Sequence, residues 1–129
     1  MIKIIFVGDK PSKKNFDPDV AFVGTRSYVT LIDWINLMGL RNPVYTINSD
    51  TPAKQQSIAY ARLTREFKFV ALGNNASKVL SKLKIPHFKL PHPSGLNRKC
   101  NDKEYLSRQL EKCRQYLEDA NAQAINKGA

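Results

Sequence analysis

The chain has 129 residues, 42% of them hydrophobic, which is enough for one domain to bury its own core and too apolar for disorder over most of its length. Its 21 Lys and Arg against 11 Asp and Glu give a formal charge of +10, which favours polyanionic partners, nucleic acid first, through phosphate neutralisation and counterion release. Two cysteines, Cys100 and Cys113, exclude a disulfide framework and a Cys-rich metal site, and fit a reduced, cytoplasmic setting.

Residues 2–7 form a β-branched and aromatic run closed by Gly8, the pattern of a buried strand. The run is too short for a signal peptide's apolar region or a membrane span, so a soluble protein with no membrane partner is expected. A polar, Lys-rich loop occupies residues 9–25. Leu31, Trp34, Ile35 and Met38 then recur at helical spacing over residues 27–38, with Gly39 as the stop. Residues 43–47 read as a second strand ended by Asn48-Ser49-Asp50. Thr51-Pro52 opens a helix reaching about Glu66. Residues 67–72 form a third strand ended by Gly73-Asn74-Asn75, residues 76–83 a short helix, and residues 86–90 a fourth strand. Asp102 caps a long amphipathic helix with Leu106, Leu110, Cys113, Leu117 and Ala120 on one face, and residues 123–129 read as a frayed tail.

Four alternations of strand and helix predict a single three-layer α/β/α domain over residues 1–129, with a central four-stranded, mainly parallel sheet. Ligands of such sheets bind beyond the carboxyl ends of the strands. The segments there are "GDKPS", "NSD", "GNN" and "PHPSGLNR", so the polar residues converge on one edge.

The chemistry open to that edge is narrowed by elimination. "GDKPSKK" lacks the spacing of a phosphate-binding P-loop, and no G-x-G-x-x-G follows a strand. His87 and His92 have no neighbouring carboxylate in sequence to make a metal site, and no nucleophile elbow is present. What remains is Asp9 and Asn48 at strand ends, His92 held between Pro91 and Pro93, and Phe22 in the first loop. That set suits a planar heterocycle: the ring stacks, the amide reads an edge, and the carboxylate and histidine flank a bond being broken. With a basic surface, a base flipped out of nucleic acid is the matching substrate. Each residue alone has a plainer reading, Asp9 and Asn48 as turn residues and Phe22 as core.

In order and spacing, "VGDKPS", "AFVGTRS", "YTINS", "LGNNASKVL" and "LPHPSGLNR" resemble the motifs of the uracil-DNA glycosylase superfamily, over roughly residues 2–100. The first is similar to its G-x-x-P motif, "FVG" to the F-V-G of its thermostable iron–sulfur branch, and the last to its H-P-S-x-L loop. The resemblance implies that Asp9 polarises or positions the attacking water, that Gly8 helps to bind the substrate and that Phe22 stacks on the extruded uracil. It implies that Asn48 reads the N3–H and O4 edge, and that His92 donates to O2 as charge builds on the departing base. Leu96 would fill the gap left in the base stack, while Lys10, Ser12, Ser94 and Arg98 would contact DNA.

The cysteines that hold the iron–sulfur cluster of that branch are missing, so no cluster and no other cofactor is expected. Lys10 stands where some branches carry a catalytic Asp or Asn. The function expected is hydrolysis of the N-glycosidic bond of uracil in DNA by a monomer, leaving an abasic site. The alternative is a binder of uracil-containing or modified DNA that uses the same pocket without cleavage. A third possibility, a domain for a free nucleoside, needs neither the charge nor Leu96.

Overall fold

The structure, a computed structural model, describes residues 2–10, 26–93 and 102–128, the side chains of residues 26–27 and 119–128 excepted. The elements in chain order are β1 (Lys3–Gly8), α1 (Arg26–Met38), β2 (Val44–Asn48), α2 (Pro52–Thr64), β3 (Phe67–Leu72), α3 (Asn74–Lys82), β4 (Phe88–Leu90) and α4 (Lys103–Gly128). The strands form one four-stranded sheet in the order β2-β1-β3-β4, with every pair parallel, where a mainly parallel sheet was expected.

Side-chain alternation along β1 and β3 splits the core into two layers. Ile4, Phe6, Val70 and Leu72 face α1 and α4, where they meet Leu31, Trp34, Met38, Leu110, Cys113 and Leu117. Ile5, Val7, Phe69 and Ala71 face the other way, against Ile58 of α2 and Ala76 and Leu80 of α3. The chain steps from β1 outward to β2, then crosses back to β3 and on to β4. Right-handed crossovers therefore put α1 on one face and α2 and α3 on the other. The reversal makes the β1/β3 boundary the topological switch point, the place where sheets of this kind open a crevice at the carboxyl ends.

Several boundaries differ from the sequence expectation for local reasons. α3 begins two residues early because Gly73, at φ +93°, turns the chain and lets Asn74 and Asn75 enter the helix. At its other end the Lys84 N–H donates to the Ser81 carbonyl (3.0 Å) and the Ile85 N–H to the Leu80 carbonyl (2.9 Å). This is the paired closure that needs a left-handed residue, and Lys84 supplies it at φ 59°. α2 stops at Thr64 because Arg65 does the same at φ 59°. β4 loses its first two expected residues, Pro86 and His87, the first having no backbone donor for the ladder. Asn48 is the last residue of β2, paired with Gly8, rather than the first of the turn. α4 continues to Gly128 through the stretch expected to fray, in keeping with the helix preference of Ala120, Ala122 and Ala124.

Among the described residues no helix is long and apolar enough to cross a membrane.

Candidate functional site

The site is the carboxyl edge of the sheet. β1 delivers Gly8, Asp9 and Lys10 there, β2 delivers Asn48, β3 leads into Asn74 and Asn75 of α3, and β4 leads into His92. Phe22, Ser12, Ser94, Leu96 and Arg98, together with Cys100, lie outside the described residues.

The β1–β2 corner is tightly tied. The Ser49 N–H donates to the carbonyls of Gly8 (3.0 Å) and Asp9 (3.1 Å), and its hydroxyl donates to Gly8 at 2.8 Å. The Gln55 amide in turn donates to the Ser49 carbonyl at 2.9 Å. These bonds fix the backbone of Gly8 and Asp9 against the start of α2. Asn48 is 2% exposed, yet its Oδ1 has no hydrogen-bond partner among the described residues. A buried amide oxygen without a donor costs roughly 1–3 kcal/mol. Alternation along β2 turns Asn48 toward the α1/α4 side, on the row of Val44, and its neighbour Gly8 brings no side chain beside it.

Asp9 spans the switch point. The Asn75 side-chain amide donates to Asp9 Oδ2 at 3.0 Å, so the carboxylate stands over the first turn of α3, an end that favours negative charge. Asn75 did not figure among the expected site residues. The signal was present in "GNN", since two amides after a strand-ending glycine enter the crevice by position alone.

His92 lies against Gly73. A Cβ on Gly73 would come within 3.1 Å of His92 Cβ, so the close approach depends on glycine. The imidazole is half-buried, and desolvation lowers its pKa below the ordinary histidine value, an effect that the facing charge of Asp9 partly opposes. The Asp9 charge thus reaches His92 from the β1 end of the edge. Asn48 belongs to the far side of the same edge: three strand spacings of about 4.8 Å separate β2 from β4. Lys10 is exposed at the mouth of the edge.

A pocket of about 260 Å³ opens between the β4 end and α4, lined by Gly73, Asn74, Lys89, His92, Tyr105 and Gln109 among others. Lys89 Nζ donates to Asn74 Oδ1 at 3.1 Å across its mouth. Neither Asp9 nor Asn48 lines it, so it adjoins the Asp9–His92 pair rather than containing it. Lys89, Tyr105 and Gln109 were not expected site residues. Tyr105 and Gln109 are one helical turn apart beside the apolar face of α4, and only the packing of α4 on β4 brings them to the edge.

No protein-family model, curated protein or solved structure matches this chain.

Proposed function

We propose that the protein is a DNA glycosylase that flips uracil out of DNA and hydrolyses its N-glycosidic bond, leaving an abasic site. The observation that supports this reading best is Asn48: a buried amide at a strand end whose oxygen has no donor among the described residues. The N3–H of uracil is such a donor, and the Asn48 NH₂ can donate to O4 in return. A site built to match one hydrogen-bonding edge discriminates strongly against a base that lacks it.

The remaining groups supply the bond cleavage. His92, kept uncharged near neutral pH by its lowered pKa, donates to O2 as electrons move onto the leaving base. The Asp9 carboxylate stabilises positive character on the sugar and orients the attacking water. Exposed Lys10 and the net charge of +10 hold the phosphates. Because Asn48 is enclosed, the base reaches it only after the edge opens, which makes flipping and pocket opening one coupled step.

One observation favours the alternative, a binder that does not cleave. Asp9 Oδ2 is already engaged by Asn75, as a purely structural carboxylate would be. Single-turnover incubation with a uracil-containing oligonucleotide separates the two. Uracil release is expected, and Asp9→Asn should reduce it by about 10²–10⁴-fold with DNA binding intact. Tight binding by the wild type with no base released over long incubation leaves the binder standing and removes the enzyme.

A further inference from the structure

The pocket beside β4 combines four features. The first is a held cation: Asn74 Oδ1 takes one of the three ammonium donors of Lys89 at 3.1 Å, leaving two to point elsewhere. The second is the sign of its lining, which contains no carboxylate among the described residues. The third is the mixture opposite Lys89, where Tyr105 and Gln109 present a hydroxyl and an amide while Leu90 and Pro91 contribute apolar surface. A hydroxyl and an amide both donate and accept, the requirement for binding sugar hydroxyls. The fourth is size: about 260 Å³ falls just under the roughly 300–1,000 Å³ of pockets that enclose drug-sized ligands. A sugar with one phosphate fits that space better than a nucleotide with its base.

We propose that this pocket binds a phosphorylated pentose, its phosphate on Lys89 and its sugar against Tyr105 and Gln109. The start of α3 adds to the same end of the pocket, since Asn74 opens that helix with no side-chain cap. Backbone N–H groups and the helix dipole there favour an anion beside the ammonium. The ligand has two possible sources, the sugar–phosphate backbone of DNA next to an extruded nucleotide and a free sugar phosphate. The chemistry is common to both, and the proposal holds whether or not the protein cleaves uracil from DNA.

Two-dimensional amide NMR of the full chain tests it, with ribose 5-phosphate, unphosphorylated ribose and a duplex carrying a stable abasic-site analogue as probes. Ribose 5-phosphate should move the backbone amides of Asn74 and Lys89 and the side-chain amide of Gln109, and ribose should leave them in place. Lys89→Gln should weaken ribose 5-phosphate about tenfold by removing a charge-assisted bond. Gln109→Glu, nearly the same shape, should weaken it at least as much by placing a carboxylate opposite the phosphate. Both positions lie outside the apolar core, so both variants keep the fold. Movement of the same amides by the duplex assigns the DNA backbone as the source, and movement by ribose 5-phosphate alone assigns a free sugar phosphate. The proposal is overturned by unmoved pocket amides, by ribose acting as well as its phosphate, or by affinity unchanged in both variants. Uracil release measured on the same wild-type sample keeps the two readings apart. Release with a silent pocket sinks only this proposal, and pocket binding without release sinks only the glycosylase.

Discussion

His87 and His92 bracket β4, each beside a proline, and the two ends of that strand treat them differently. At the amino end, His87 Nδ1 lies 2.8 Å from the Ile85 carbonyl, which can only accept, so that nitrogen carries the proton. In the tautomer with the proton on Nδ1, Nε2 is the acceptor, and the Ser77 hydroxyl of α3 donates to it at 2.8 Å. Both ring nitrogens are used, and His87 serves as a strut between α3 and the start of β4. At the carboxyl end, His92 is half-buried, wedged on Gly73 and opposed to the Asp9 charge, with a pocket on its flank. Sheet polarity, more than residue type, sets the surroundings that each histidine meets. The amino end is closed by the tight exit of α3, and the carboxyl end is where the crevice forms.

Truncating each histidine in turn should separate the two ends most clearly. His92→Ala should lower single-turnover uracil release by about 10²–10³-fold, the cost of losing one donor to a developing anion, with little change in melting temperature. His87→Ala should do the opposite, costing about 1–3 kcal/mol of stability through the Ser77 hydroxyl it orphans, while the rate per folded molecule holds. A rate loss in His87→Ala that matches His92→Ala, with the fold intact, would abolish the distinction between the two ends.

The next effect in size runs through Gly73. Its φ of +93° is one that L side chains rarely adopt, and the added methyl would press on His92 Cβ at 3.1 Å. Gly73→Ala should therefore cost about 1–3 kcal/mol in backbone strain and also slow uracil release by displacing His92. Urea unfolding and single-turnover rates read the two effects separately. Loss of stability without loss of rate would mean that the wedge positions nothing.

Ser77→Ala makes a smaller change at the other end. It removes one partly buried hydrogen bond and leaves His87 Nε2 without its donor, for about 1 kcal/mol in denaturant unfolding. The uracil-release rate should not move.

How far the sequence reveals these two ends differs for a physical reason. The layered fold was legible because buried parallel strands are continuous apolar runs and each helix carries one apolar stripe, as with Leu31, Trp34 and Met38. His92 stood out because prolines on both sides stiffen its loop, and Asn48 because it ends a strand. The Asp9–Asn75 bond joins residues 66 apart, and neither partner's local sequence announces the other. The Ser77–His87 strut was equally hidden, since it depends on α3 ending through a left-handed Lys84, a conformation that sequence marks reliably only when glycine occupies it. Pairings of this kind belong to the packing of α3 on the sheet, not to any motif.

The smallest expected effect concerns protons. His92 has its pKa lowered chiefly by burial, so between its folded value and the unfolded value near 6.5 the unfolded chain binds more protons than the native one. Stability should therefore rise with pH across that window and level off above about 6.5, where His92 is neutral in both states. Replacing His92 with Asn removes that contribution to the slope. Asp9 works in the opposite sense, because its charge favours the imidazolium. Asp9→Asn should thus lower the His92 pKa further, which extends the window at its acid end and deepens the loss of stability across it, while the acid limb of uracil release moves to lower pH. Following the His92 ring protons by NMR through an acid titration measures the shift directly. A His92 pKa that rises, or stays fixed, when Asp9 loses its charge would show that the two side chains do not share a site.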